Sequence, residues 1–237
     1  METLNSDIIS LITQQLLHTE VKGLQMVCKQ FNNHIKSLYT YLHVDLSSIN
    51  IDTDIKNEDL HKYKNCHTIN LSGTSVTDVS MLGNVSVVDL SYTNVHDVSM
   101  LKNLQILDCS NSKVKDVSML KNLHTLNCSE TKVKNVSMLK NLHTLDISGS
   151  RVKDVSMLSN LHTLNCSCTN VSDVSMLKNL NVLYISDTDS PNVGMVENIH
   201  IIDYSDIGME EDVRIINYRI GPNRTDQVHK FVMNFFC

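Results

Sequence analysis

The stretch "KVKDVSMLKNLHTLNCSETKVKNVSMLKNLHTL", Lys113 to Leu145, spells nearly the same phrase twice, and the phrase continues on both sides of it. The acid or amide that opens "DVSML" falls at Asp78, Asp97, Asp116, Asn135, Asp154 and Asp173, a step of 19 residues each time. Met81, Met100, Met119, Met138, Met157, Met176 and Met195 keep that step, as do Asn84, Asn103, Asn122, Asn141, Asn160, Asn179 and Asn198. A fixed period of this size marks a repeat architecture, in which one small unit is copied and stacked.

Within one copy, apolar or small residues fall at Leu139, Leu142, Leu145, Ile147, Ser150, Val152, Val155 and Leu158, spaced by 3, 3, 2, 3, 2, 3 and 3 residues. The step of two from Leu145 to Ile147 predicts a short strand with those two side chains inward and Thr144, Asp146 and Ser148 outward. Steps of three suit a 3₁₀-like or extended return that meets the core once per three residues, and a helical period of 3.6 fits poorly. One such loop cannot bury its apolar face alone. Stacked copies, with strands about 4.7 to 4.9 Å apart, build a parallel sheet and a continuous core.

Several columns read as structural. The Asp78 column precedes an apolar turn, as a carboxylate capping unpaired N–H groups does. The hydroxyls of Thr74, Thr93, Ser112, Thr131, Ser150, Thr169 and Thr188, with the asparagine column, are expected to satisfy buried backbone groups. His124, His143 and His162 stack in neighbouring copies, with His67 and His200 in line, but a ladder of parallel side chains supplies no convergent metal cage. Lys113, Lys132 and Arg151, then Lys115, Lys134 and Lys153, then Lys102, Lys121 and Lys140, form basic stripes that read as a solvated face able to meet an acidic partner.

The outward strand column, Asn70, Asp89, Asp108, Asn127, Asp146, Asn165, Tyr184 and Asp203, should line one broad face. Beside it the copies diverge most, as Gly73, Tyr92, Asn111, Glu130, Gly149, Cys168 and Asp187. Where copies differ, information about a partner can reside. The candidate target-binding set is therefore Asp89, Tyr92, Asp108, Asn111, Glu130, Asp146 and Tyr184, with the two tyrosines as anchors.

The repeat "LHTLDISGSRV", Leu142 to Val152, resembles the leucine-rich repeat core L-x-x-L-x-L-x-x-N/C-x-L, with serine or threonine in the Asn/Cys slot. Copies run from about Cys66 to Asp206, and "LHVDLSSINI", Leu42 to Ile51, is a divergent first one separated by an insertion, since Val44 to Ile69 spans 25 residues. The tail D-[IV]-S-x-L-x-N-L resembles internalins and phosphatase-regulating leucine-rich proteins, whose unit is longer, so a thin solenoid is expected.

A net charge of −6 and a pI near 6.0 argue against a nucleic-acid sheath. Glu2 and Asp7 stand where a signal peptide carries cations, and no apolar run reaches the roughly 18 residues of a membrane span, so a cytoplasmic protein is expected. Among the seven cysteines, Cys109, Cys128 and Cys166 occupy slots filled elsewhere by Leu71, Leu90 or Ile147, as small apolar fillers in a reducing compartment.

Repeat arrays need capped ends. At the C-terminus Val228, Phe231, Val232 and Phe235 form a helical stripe that Thr225 can cap. At the N-terminus Leu4, Ile8, Leu11, Ile12 and Leu16 suggest one amphipathic helix, and Val21, Leu24, Val27, Phe31 and Ile35 a second. With the closing "VCKQF", Val27 to Phe31, this stretch resembles the F-box, a helical module that docks on the small adaptor subunit of cullin-type ubiquitin ligases. It departs in having Asn5 where a proline is usual and Phe31 where a tryptophan is. The resemblance implies Leu4, Ile8, Leu11, Leu16, Val27, Cys28 and Phe31 as ligase-adaptor contacts.

The expected fold class is thus an α/β repeat solenoid: a leucine-rich-repeat arc with a parallel β-sheet on its concave face, short 3₁₀ or extended returns, and helical caps at both ends. Expected divisions are an F-box-like module at 1–40, a divergent repeat with insertion at 41–65, repeats at 66–207 and a cap at 208–237. No nucleophile with a base, no phosphate loop and no cysteine-histidine cage is visible, so neither catalysis, metal nor cofactor is expected. The resemblances imply a substrate-recognition adaptor of a cullin-type ligase that brings an unknown target protein to ubiquitin transfer. The alternative is a ligase-independent scaffold or enzyme regulator whose N-terminal helices only cap the solenoid. The regular copies also resemble F-box/leucine-rich-repeat proteins of large amoeba-infecting viruses, which would make the site of action a host cytoplasm.

Overall fold

The structure is a computed structural model that describes residues 43–47, 55–186, 192, 199–203 and 214–218. The N-terminal helices expected from Leu4, Ile8, Leu11, Leu16, Val27, Cys28 and Phe31 lie outside the described residues, as does the expected helix from Thr225 to Phe235. The chain divides into two compact units, Met1–Val114 and Lys115–Cys237.

In the first unit four parallel strands, β1 (His43–Asp45), β2 (Thr68–Asn70), β3 (Val87–Asp89) and β4 (Ile106–Asp108), pair in register, with Val44, Ile69, Val88 and Leu107 side by side. The register puts Val44 opposite Ile69 across the longer first step, as the sequence implies. The insertion winds into a 3₁₀ helix, Asn57–Tyr63, that buries Leu60 and Tyr63. Asn57 pins this helix to the next return: its Oδ1 accepts from the N–H of Thr77 at 2.9 Å and of Asp78 at 3.2 Å.

The second unit repeats the same coil. Strands β5 (Thr125–Asn127), β6 (Thr144–Asp146), β7 (Thr163–Asn165), β8 (Val182–Ile185) and β9 (Ile199–Asp203) are parallel. β10 (Arg214–Tyr218) then pairs antiparallel with β9. Within the segment 208–237, expected as a helical cap, the described residues therefore form a strand, and that strand covers one edge of β9.

Each turn folds as its spacing requires. Leu139, Leu142, Leu145, Ile147, Val152, Val155 and Leu158 are all buried, while Thr144, Asp146 and Ser148 face outward. The three-residue steps are closed by N–H to C=O bonds reaching three residues back, as Leu139 to Val136 at 3.0 Å and Leu142 to Leu139 at 3.1 Å. One return, Ser80–Leu82, forms a 3₁₀ helix; in its sister copies the same bonds make consecutive turns.

The capping column behaves as its spacing suggests. Asp78, Asp97, Asp116, Asn135, Asp154 and Asp173 each accept, through Oδ1, the N–H of the serine two residues on, at 2.8 to 2.9 Å. The hydroxyls of Thr74, Thr93 and Thr131 donate to the carbonyls of Leu71, Leu90 and Cys128, satisfying buried acceptors. The asparagine column differs from expectation. Asn103, Asn141, Asn160 and Asn179 donate to carbonyls of the preceding turn, those of Gly83, Lys121, Lys140 and Ser159, at exposed positions. These amides tie neighbouring turns together at the surface and serve no buried group.

Candidate protein-binding face

The outward strand column is occupied by acids and amides because each is needed where its strand ends. In the first unit Asp45, Asn70, Asp89 and Asp108 accept through Oδ1 the N–H of Ser47, Ser72, Ser91 and Ser110, at 2.8 to 3.0 Å. In the second unit Asn127, Asp146 and Asn165 do the same for Ser129, Ser148 and Ser167. Such Asx turns halt the strand after three residues and start the bend.

This changes the standing of three expected contacts. Asp89 and Asp108 each commit an oxygen to their own backbone, and Asp108 is only 8% exposed. Asp146 is fully engaged, with Oδ1 accepting from the N–H and hydroxyl of Ser148 and Oδ2 from Nδ2 of Asn165 at 2.9 Å.

Tyr184 also departs from its expected role as an exposed anchor. It is 7% exposed, and it sits at a change of register. A 19-residue step would set it beside Asp203, but β8 pairs with β9 so that Tyr184 faces Ile202 and Ile185 faces Asp203. The one-residue shortening exchanges a charged neighbour for a buried isoleucine. It also sets His200 opposite Val182, out of line with the histidine column.

The divergent column is the more informative one. Tyr92, Asn111, Glu130 and Cys168 have φ of 56°, 53°, 54° and 53°, and Gly73 and Gly149 have φ of 68° and 62°. All six occupy the left-handed region, where a side chain other than Gly or Asn costs on the order of 1 kcal/mol. The turn is held there by ladder bonds, such as Tyr92 N–H to the Ser110 carbonyl at 3.0 Å and Glu130 N–H to that of Ser148 at 2.8 Å. Tyr92, Asn111, Glu130 and Cys168 are all exposed, Tyr92 by 69%. The glycines and the asparagine were the readable signal for this conformation.

Elsewhere, a surface recess of about 370 Å³ in the first unit is lined by Asp78, Asp97, His96 and Met100 among others. Its carboxylates are already bonded to Ser80 and Ser99, whose N–H and hydroxyl groups hold both acids below the usual carboxylate range. The imidazoles of His124, His143 and His162 stack with centroids 5.5 and 5.3 Å apart. Among the described residues no group of three or more His, Cys, Asp or Glu is placed to hold a metal ion.

Comparison with known structures places the fold. Internalin C2 of Listeria monocytogenes matches with a TM-score of 0.60 at 23% identity, over 71% of this chain and 84% of that one. An internalin, InlF, of the same organism matches with a TM-score of 0.60 at 19% identity, over 72% of this chain and 57% of its own. The functional domain of InlJ from Listeria monocytogenes, which includes a cysteine ladder, matches with a TM-score of 0.53 at 21% identity, over 71% of this chain and 45% of its own. The described coil is thus a leucine-rich-repeat fold like that of internalins. No protein-family model matches the sequence, and no curated protein matches it.

Proposed function

We propose that the chain is a protein-binding module that holds a target protein along the edge of its strand face. The observation that carries this reading is the left-handed column. Tyr92, Glu130 and Cys168 stand where glycine would be less strained, and Gly73 and Gly149 show that the chain uses glycine there when nothing else is required. A tyrosine held outward on a rigid turn offers a large contact area at little further entropy cost. Asn111 and Asp89 extend the contact within the first unit, and Glu130 holds the equivalent outward position in the second.

The test is proximity labelling in the native cell with the full chain and with the Tyr92→Gly/Glu130→Gly variant. Neighbours labelled by the former and lost in the latter, at equal or higher stability, support the reading. An unchanged set of neighbours refutes it.

The ligase form of the proposal adds a second contact, with the small adaptor subunit of a cullin-type ligase at Leu4, Ile8, Leu11, Leu16, Val27, Cys28 and Phe31. Its support is the sequence resemblance of residues 1–40 to the F-box. The chain would then act by proximity, raising the effective concentration of target near the ligase. It implies a cytoplasmic site of action, in the host cell if the chain is viral. Purified adaptor subunit should bind the full chain and lose binding on Leu16→Asp or Val27→Asp. No binding to the unsubstituted chain favours a ligase-independent scaffold.

A further inference from the structure

Just before its capping residue, each turn shows two side chains to solvent on either side of a buried valine. Some copies fill these slots with neutral residues, as Ser75 and Thr77, Asn94 and His96, or Asn170 and Ser172. The second unit instead places Lys115 in one such slot, then Lys132 with Lys134, then Arg151 with Lys153. All five are exposed, while Val133 and Val152 between the later pairs are buried. Among the described residues, none of the five side chains is in an ion pair or a hydrogen bond.

The backbone holds these cations in rows. Strands β5, β6 and β7 pair in register, and the N–H of Arg151 donates to the carbonyl of Val133 one turn back at 3.0 Å. The fixed period therefore sets Lys132 beside Arg151, and Lys134 beside both Lys115 and Lys153. Like charges held in neighbouring positions of adjacent segments are destabilising. Asn170 and Ser172 show that the same slots fold with no charge at all. A face that only meets water would be served as well by such residues, without the repulsion.

The neighbouring acids leave the rows unneutralised. Asp116 and Asp154 follow Lys115 and Lys153, but their Oδ1 atoms accept the N–H groups of Ser118 and Ser156. The N–H and hydroxyl of Ser156 hold the Asp154 carboxyl below the usual carboxylate range, and no cation contributes. The middle turn has Asn135 in that place, making the same bond to Ser137 without a charge. Glu130, two residues before Lys132, lays its carboxylate over Gly149 and forms no ion pair among the described residues. Five cations against Asp116, Glu130 and Asp154 leave a positive surplus here, on a chain whose net charge is −6.

We propose that Lys115, Lys132, Lys134, Arg151 and Lys153 are a docking surface for a short acidic segment of a partner protein. Charge complementarity selects the occupant: carboxylates laid over the rows relieve the repulsion that the fold otherwise carries. Nucleic acid is the poorer fit. Base stacking needs aromatic side chains, and no tyrosine, phenylalanine or tryptophan stands between Tyr92 and Tyr184. A polyanion longer than the rows also runs onto the turn of Asp173, where both slots are neutral. The surface stands apart from the left-handed column and does not require it.

The probe is a fluorescein-labelled synthetic peptide of about eight residues alternating glutamate and serine, read by anisotropy against the full chain. Expected is saturable binding with a Kd below about 1 mM at low salt, weakening as salt rises. The same peptide with glutamine for glutamate does not bind. Lys132→Asn/Lys134→Ser, which copies Asn170 and Ser172, weakens binding about fivefold or more and leaves the urea midpoint equal or higher. Lys121→Asn/Lys140→Ser, the same change of charge beyond the capping column, stays within about twofold. Glu130→Gly binds the peptide as well or better, so failure of the left-handed column as a contact leaves this surface standing. No saturation up to about 1 mM, equal weakening by the two lysine pairs, or tighter binding of a single-stranded oligonucleotide of equal charge would each overturn the proposal.

Discussion

Gly149 shows a residue whose identity is set by its own backbone more than by the Glu130 side chain beside it. A Cβ on Gly149 would lie 2.3 Å from Oε1 of Glu130, and its φ of 62° is strained for any other side chain. Because the carboxylate ends a flexible arm, it can swing aside; the backbone cannot. Gly149→Ala should therefore cost about 1 kcal/mol, nearly all of it from φ. The loss should persist almost unchanged in a Glu130→Gly background, as a double-mutant cycle in urea would show. Glu130→Gly alone should gain a similar amount. The capping acids carry a second residue-scale expectation. The N–H and hydroxyl of the serine two residues on hold Asp97 and Asp154 below the usual carboxylate range, and at Asp173 the Ser175 hydroxyl leads. A carboxyl whose folded pKa is depressed stabilises the fold above its unfolded value, near 3.8, and that contribution is lost as pH falls through the folded value. Asn135 makes the same bond to Ser137 at 2.9 Å without a titratable group. Replacing Asp97, Asp154 and Asp173 by asparagine should thus lower the urea midpoint slightly at pH 7 and flatten its decline between pH values of about 5 and 3.

At the scale of one turn, the sequence spoke clearly about what faces inward and poorly about what the outward residues do. The spacing of Leu142, Leu145 and Ile147 admits one coil, and the inward leucines and valines of every described copy are buried accordingly, while Val87 and Val182 at outward positions are half-buried. The outward acids were ambiguous, because an Asp that caps its own bend and an Asp that meets a partner look alike until the bond from Ser91 or Ser148 is seen. Cys166 and Cys168 make a similar point. Strand alternation would set them on one face, yet the left-handed φ of 53° at Cys168 turns it outward while Cys166 stays buried. Burial pushes the Cys166 thiol up to about 12. Iodoacetamide at a pH of about 8 should label Cys168 quickly in the native chain and leave Cys166 unmodified until urea is added, as peptide mass mapping would report. Comparable native labelling of both would mean that the turn does not hold its reversed conformation.

Across the whole chain, the period was the most legible feature, since it is enforced by every turn at once. Each coil buries its apolar side chains only against the coils before and after it. A local exception was invisible for the same reason. The shortened step into β9 alters no repeated residue type that would announce it, yet it places Ile202 beside Tyr184, whose ring is buried. The stacking principle makes a prediction about length that single substitutions cannot test. Removing residues 139–157 from the second unit deletes one full period and joins Met138 to Leu158, the same junction that every turn already contains. Inward residues stay inward, and the asparagine and histidine ladders close on the next copy. The shortened chain should fold cooperatively, with a lower urea midpoint because one interface between turns is gone. Removing 139–147 instead joins one return to the middle of the next bend, leaving Val152 and Val155 without the strand of their own turn, Thr144–Asp146. That variant should lose cooperative unfolding in the second unit, seen as a broad transition in far-ultraviolet circular dichroism. If both deletions behaved alike, turn-on-turn burial would not be what stabilises the coil.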